Sequence, residues 1–386
     1  MIIEIRKTGF TNKGAQLMLY AILEKLQTEF PEAKFTMGPT GSNGSAPYLD
    51  RAKLGFYQKA SLWRHGIQFG KLFQLIPKKL REMYGVIIDN EVDVVIDSAG
   101  FEYSDLWGAQ RCCELASASK TFKKNGAKLI MLPQAFGPFT SSTIKKAINE
   151  AVKNSQLVFP RDKTSYENLV GVTGEQQKIS IAPDFTNLIE GLKPNEFDTE
   201  NCKVAVIPNY RMLDKVGGLE KDNYLPFLIK CVNYLVKKGA KPFLLIHESR
   251  SDLKIAKRIN EEVGNKLPVV EEPNPLILKG MLSMCEATLG GRFHGLVSAL
   301  SQGVPSLATG WSHKYQMLFE DYGIPEGVID IQEDDRVLYE KLELILGKQS
   351  KTRLKEKIAQ RTIILKQETE AMWNKVISSI RDNTAE

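Results

Sequence analysis

The stretch from 290 to 323, GGRFHGLVSALSQGVPSLATGWSHKYQMLFEDYG, holds the side chains best suited to chemistry. Arg292 and His294 follow the glycine pair Gly290-Gly291 and open an apolar segment with helical periodicity. A helix start presents N–H groups without intrahelical partners and a partial positive charge, so it attracts anions. Arg292 adds a two-pronged donor for a carboxylate or phosphate. His294 is the side chain best suited to exchange a proton near neutral pH. One short strand later the loop GWSHK brings Ser312, His313 and Lys314. If the two strands are parallel neighbours, both loops open on one sheet edge and Lys314 approaches Arg292 and His294. A lone Arg-x-His pair is more often a carbonyl cap and a filled helix start. Here the glycines, the helix start and the second basic loop agree on a small, strongly anionic ligand with a proton donor beside it.

Other candidates lie earlier in the chain. After the first strand, KTGFTNKGA runs into a helix, and Asn12 and Gly14 are positioned to line an anion site. PQAFGPF follows the strand AKLIML, which puts Gln134 and Phe136 at a carboxyl edge. Arg161 stands just beyond another strand, with Asp162 and Ser165 as capping candidates. It either binds an anion or forms an ion pair with Asp162 or a neighbour. His247 ends the strand PFLLIH and is either a ligand-binding or a capping residue. Gly290 and Gly291 end the strand ATLGG, and Gly291 is a candidate substrate-binding residue.

The elements needed to hold these residues are those of parallel α/β sheets. Short β-branched runs alternate with longer amphipathic ones. Strands are expected at 2–6, 34–37, 92–97, 127–132, 155–160 and 178–183, then, after a polar linker at 191–203, at 203–208, 241–247, 286–291 and through VPSLAT. The fold class is therefore α/β, with two doubly wound, Rossmann-like domains, the first over 1–195 and the second over 203–348. A long charged helix fills much of 349–386 and is expected to cross back to the first domain. Two such sheets facing across a cleft would bind ligands at the carboxyl ends of their strands.

A length of 386 residues suits two domains, and 42% hydrophobic with 25% charged residues suits a soluble globular chain. No run is long and apolar enough for a transmembrane helix, and MIIEIRKTGF does not read as a signal peptide. Five cysteines without a C-x-x-C argue against a disulfide framework or zinc site, and no metal site is expected. A reducing cytoplasm is the expected compartment. The net charge of +6 is uneven: 51–81 holds eight Lys/Arg and no acid, interleaved with Phe56, Tyr57, Trp63, Phe69 and Phe73. The plain reading is a solvated basic face over inward-packing aromatics. The alternative is a surface for anionic lipid headgroups at the inner membrane face, or for an anionic substrate. No nucleic-acid-binding motif accompanies it.

The segment RFHGLVSALSQGVPSLATGWSHKYQMLFEDYG resembles the signature of the polysaccharide pyruvyl transferase family: Arg-x-His, a small-residue helix, Gly-x-Pro and a loop ending in Lys. NKGAQLMLYAIL, VVIDSAG, QAFGPF, VFPRDKTSYENL, APDF and HESRSD are further landmarks, so the resemblance covers nearly the whole chain. Ala15 stands where the family often has an acid, and Ala99-Gly100 where it often has paired glycines. The resemblance implies a glycosyltransferase-B-like pair of Rossmann domains, the first on the acceptor side and the second holding the donor. It implies transfer of pyruvate from phosphoenolpyruvate to a sugar, as a cyclic ketal, in cell-surface polysaccharide biosynthesis. His294 is then the acid, and Arg161, Arg292 and Lys314 hold donor charge. Asn12, Gly14, Gln134, Phe136, His247, Gly291, Ser312 and His313 line substrate. No cofactor is expected, since phosphoenolpyruvate is a substrate, and the sugar acceptor is either lipid-linked or part of a polymer. Two competing readings are a nucleotide-sugar glycosyltransferase or sugar epimerase of the same fold, and a non-catalytic sugar- or lipid-binding protein.

Overall fold

The computed structural model describes residues 1–38, 47–61, 63–64, 67–214, 219–248, 250–310 and 312–382. The chain divides into two compact units, Met1–Phe185 with Thr369–Glu386, and Thr186–Glu368.

The first unit is built on strands β1 (Ile2–Arg6), β2 (Lys34–Met37), β3 (Tyr57–Lys59), β6 (Val86–Ile87), β7 (Val94–Asp97), β8 (Lys128–Gln134) and β9 (Ser155–Pro160); the small antiparallel pair β4 (Trp63–Arg64) and β5 (Ile67–Gln68) stands apart. The seven strands form a parallel sheet in the order β6-β3-β2-β1-β7-β8-β9. Ile3, Ile5 and the whole of Val94–Ile96 are fully buried, as expected for central strands covered on both faces. The strand order reverses at β1, whose neighbours are β2 and β7, and the carboxyl ends of β1 and β7 flank that switch point. Helix Lys13–Glu29 starts on Asn12, whose Oδ1 accepts from the Ala15 N–H at 3.0 Å, and buries Leu17, Leu19, Ile22 and Leu26.

The second unit contains β10 (Val204–Ile207), β11 (Pro242–Ile246), β12 (Val269–Glu271), β13 (Ala287–Gly290), β14 (Ser306–Thr309) and β15 (Val328–Ile329). All pairings are parallel, in the order β12-β11-β10-β13-β14-β15. The switch point lies between β10 and β13, in register from Val204↔Ala287 to Ile207↔Gly290.

Two differences from the sequence reading have physical causes. The chain enters the second unit at Thr186, ahead of the expected linker, because 186–192 is held to that unit: Lys279 Nζ donates to Thr186 O at 2.7 Å, Tyr322 Oη to Asn187 Oδ1 at 2.9 Å, and Leu192 N to Leu276 O at 2.9 Å. Segment 178–183 runs beside β9, with Ala182 N bonded to Pro160 O at 3.1 Å, yet makes a single bridge, Val158↔Ile179. Pro183 lacks an N–H and cannot continue a ladder. Helix Lys348–Arg381 is continuous, and its end belongs to the first unit. There Lys25 meets Glu370 at 2.7 Å, and Trp373 packs edge-on to Phe185 with centroids 6.0 Å apart.

The basic segment also changes character. Arg51 turns inward, Nη1 donating to Met37 O at 3.0 Å. Lys59 is buried against Glu4 and Asp89, and Arg81 against Glu91 at 2.6 Å. Phe56 is buried and Phe73 half-buried, while the side chains of Trp63, Arg64, Phe69 and Lys71 lie outside the described residues. So three of the eight cations are internal partners and do not form a repelling surface.

Candidate active site

The second unit gathers most of the expected residues at the carboxyl edge of its sheet. Arg292 caps helix Phe293–Leu300, directly after β13. Ser312 occupies the same place before helix His313–Asp321, after β14. Because β13 and β14 are parallel neighbours, the two helix starts lie side by side. Lys314 Nζ lies 5.4 Å from the Phe293 ring centroid and 5.3 Å from that of Tyr315. Phe293 in turn meets the His294 and Tyr315 rings edge-on, at 5.5 and 6.1 Å. Lys314 and His294 are thereby attached to one aromatic support. His294, Ser312, His313 and Lys314 are half-buried, and Ser312 Oγ makes no hydrogen bond among the described residues.

The switch point itself is closed by backbone. Gly291 O accepts from Tyr315 Oη at 2.6 Å and from Asn209 Nδ2, which reaches over from the end of β10. A Cβ on Gly291 would stand 2.9 Å from Asn209 Cβ and 3.1 Å from Thr309 Oγ1, so only glycine lets these loops approach. His247, buried at the end of β11, packs against the helix start at Gly295, where an added Cβ would lie 3.0 Å from its ring.

Arg292 differs from the expected open fork. Its Nε and Nη2 donate to the two carboxylate oxygens of Asp252 at 2.9 and 2.6 Å, and Nη1 pairs with Glu248. Asp252 is fully buried and also accepts from the Tyr210 N–H at 2.9 Å. Burial pushes the Arg292 guanidinium down to about 10, still well above neutrality. The arginine is therefore charged, but two carboxylates balance it, and its fork fixes the entry to the helix. Glu248 and Asp252 lie four residues apart in HESRSD, the second in the first turn of helix Arg250–Glu262.

The first unit carries its own polar cluster at its switch point. Arg6 ends β1 and Asp97 ends β7, and Nε and Oδ2 are 3.2 Å apart. Tyr103 Oη donates to Asp97 at 2.9 Å, and Lys7 pairs with Glu102 at 3.1 Å. Burial pushes the Asp97 carboxyl up while Arg6 and Lys7 hold it back, and burial beside Asp97 pushes the Tyr103 hydroxyl well up. None of these residues was expected at a site, because each looks like an ordinary strand-end or loop residue in sequence. Gln134 serves this cluster, accepting from the Ala99 N–H at 3.2 Å and donating to Asp97 at 3.4 Å. Phe136 is a core residue, fully buried and stacked on Tyr103 with centroids 6.3 Å apart. Arg161, also in the first unit, pairs with buried Asp184 at 3.2 Å, the ion-pair alternative for that residue. Asn12 caps its helix and Gly14 is buried in the first turn.

Residues 12–313 match a family model described as polysaccharide pyruvyl transferase. The amylovoran biosynthesis protein AmsJ of Erwinia amylovora is 21% identical over 266 residues, which are 63% of this chain and 62% of that protein, so the chain spans less than two thirds of this relative. Among solved structures, a putative UDP-N-acetylglucosamine 2-epimerase from Listeria monocytogenes aligns with a TM-score of 0.63 at 11% identity, over 100% of this chain and 96% of that one. Anabaena HepE in complex with UDP and glucose aligns with a TM-score of 0.58 at 12% identity, over 98% and 99%. The UDP-GlcNAc 2-epimerase of Neisseria meningitidis gives 0.59 at 11%, over 98% and 99%. At such identities the likeness shows the fold, a glycosyltransferase-B-like α/β chain with two Rossmann-like halves.

Proposed function

The chain belongs to the polysaccharide pyruvyl transferase family, and from that premise we propose that it transfers pyruvate from phosphoenolpyruvate to two hydroxyls of a sugar, forming a cyclic ketal. The observation that carries this reading is the position of Lys314 Nζ, 5.4 Å from the ring of Phe293, the residue that opens the helix bearing His294. A compact donor with a phosphate and a carboxylate needs a cation and unpaired N–H groups close to an acid. Lys314 supplies the cation, and the starts of helices Phe293–Leu300 and His313–Asp321 supply the N–H groups. Arg292, balanced by Asp252 and Glu248, orients the first of these starts.

His294 delivers a proton to the methylene carbon of the donor. An acceptor hydroxyl adds at C2, and the bond from C2 to the phosphate oxygen breaks. A second hydroxyl of the same sugar closes the ketal. Two hydroxyl protons are released as the C–O bonds form: one restores His294 and the other leaves with inorganic phosphate. In this reading the acceptor belongs to the carboxyl edge of the first unit, where helix Lys13–Glu29 begins at Asn12.

Thermal stability with ligands tests the reading. Phosphoenolpyruvate alone, at about a hundred times its Kd, should stabilise the protein by about 2.7 kcal/mol. Stabilisation by UDP or UDP-sugars and none by phosphoenolpyruvate would favour a nucleotide-sugar enzyme, the class of the UDP-bound structural neighbours. Stabilisation by neither would refute the donor assignment.

A further inference from the structure

Seven of the fifteen large hydrophobic residues that are exposed among the described residues fall between 48 and 84. Leu75, Met83 and Tyr84 are 83%, 73% and 72% exposed, and Tyr48, Leu49 and Leu72 are also largely in water. Scattered single exposures need no explanation, but such a concentration on short neighbouring elements does. The elements are helix Tyr48–Lys53, the 3-10 segment Phe69–Leu75 and helix Lys78–Met83. They lead into β3 and β6, which are the edge strand and its neighbour at one end of the first sheet. The same stretch, 48–84, has eight Lys/Arg against two acids, Asp50 and Glu82. Arg51, Lys59 and Arg81 turn inward, while Lys53, Lys78 and Lys79 remain exposed among the apolar side chains. Asp50 and Glu82 each reach a lysine only loosely, at 3.9 Å.

We propose that this face docks on an anionic lipid bilayer, with Leu72, Leu75, Met83 and Tyr84 entering the interfacial layer and Lys53, Lys78 and Lys79 meeting headgroup charge. The buried arginines are part of the device: they hold the short elements to the sheet, Arg51 through Met37 O and Arg81 through Glu91 and Ile76 O, so that the apolar side chains face outward. Charge decides against a second copy of the chain as the occupant. A two-fold interface through this face would oppose the same lysines to themselves. An anionic bilayer satisfies both features at once, because apolar area and cations add in interfacial binding. This inference is independent of the donor chemistry, since its assay reads partition and not turnover.

The test is flotation of the full chain with vesicles of phosphatidylcholine alone or mixed with phosphatidylglycerol. Binding is expected to the mixed vesicles only, and it should weaken as salt rises. The double substitution Lys78→Glu with Lys79→Glu should reduce it on the order of fivefold per cation. Leu75→Ser with Met83→Ser should reduce it at low and high salt alike. These side chains are exposed, so circular dichroism and the melting temperature should not change. Absence of binding at low salt overturns the proposal, as does binding that survives both double substitutions. So does a protein that dimerises in sedimentation and becomes monomeric with Leu75→Ser and Met83→Ser while ignoring vesicles.

Discussion

Arg292 closes a two-pronged ion pair on Asp252, with Nε–Oδ2 at 2.9 Å and Nη2–Oδ1 at 2.6 Å, in a spot where the aspartate is inaccessible to water. Such a pair couples two neighbouring loops, since Asp252 also takes the Tyr210 N–H. Removing one partner leaves an uncompensated buried charge, which costs about 3–5 kcal/mol. Arg292→Ala and Asp252→Asn should therefore each lower stability to urea strongly. Arg292→Lys should do so as well, because one ammonium cannot span both carboxylate oxygens. A melting curve unchanged by Arg292→Ala would mean that the pair contributes nothing.

This pair marks the border of what could be read from the sequence. Strands such as β1, β10 and β13 announce themselves by β-branched runs, and the glycines before Arg292 announce a sharp strand-to-helix turn. The strands β3, β6 and β15 were missed because two or three residues carry no period. Arg292, His294 and Lys314 were legible as one group because two consecutive βα turns carry them. Asp252 was not, since it opens the helix Arg250–Glu262 after β11, on the far side of β10, and only the sheet order makes it a neighbour. Arg6 and Asp97 are separated by ninety residues and meet through the parallel pairing of β1 with β7. The chemistry of a fork also depends on what faces it, which a residue type alone does not tell.

His294→Ala should lower turnover by roughly 10²–10⁴-fold with little change in donor affinity, as for a lost general acid. The residue is half-buried at a helix start and its removal leaves the apolar face of that helix intact, so stability should hold. Single-turnover kinetics with a direct binding measurement separates the two effects. A wild-type rate would end the assignment.

Gly291→Ala should destabilise by about 1–3 kcal/mol through overpacking. Its methyl would press on Asn209 Cβ at 2.9 Å and Thr309 Oγ1 at 3.1 Å, and both neighbours are buried too deeply to move aside. Activity should fall along with stability, because the same shift moves the helix start. A variant as stable as the parent would show that the β10 and β13 ends can separate without cost.

The cysteines offer a pH-linked check. Burial pushes the Cys112 and Cys285 thiols up to about 12 and also raises Cys202 and Cys231. A raised thiol stays protonated until the pH approaches its own pKa, so these four should resist alkylation at pH 8. Cys113 is exposed and should label. Mass spectrometry after iodoacetamide should find one adduct in the native protein and all five after unfolding. Rapid native labelling of Cys285 or Cys112 would contradict the packing described.

Lys314 and Arg292 should separate cleanly when donor affinity is set against stability. Arg292 is balanced by Asp252 and Glu248, so its removal acts first on the fold. Lys314 rests on the rings of Phe293 and Tyr315 with its ammonium at the helix start, where it can meet an anion. Lys314→Met keeps the stem that packs on those rings and deletes the charge. It should raise the Kd for phosphoenolpyruvate about tenfold or more and leave the urea midpoint nearly unchanged. Lys314→Arg should retain part of the binding, because it preserves both the charge and the stacking. Isothermal titration at several salt concentrations measures this directly: the parent's affinity should fall with salt, and that dependence should be weaker in Lys314→Met. Equal donor affinity in parent and Lys314→Met would remove Lys314 from the donor site and with it the cation on which the proposed chemistry depends.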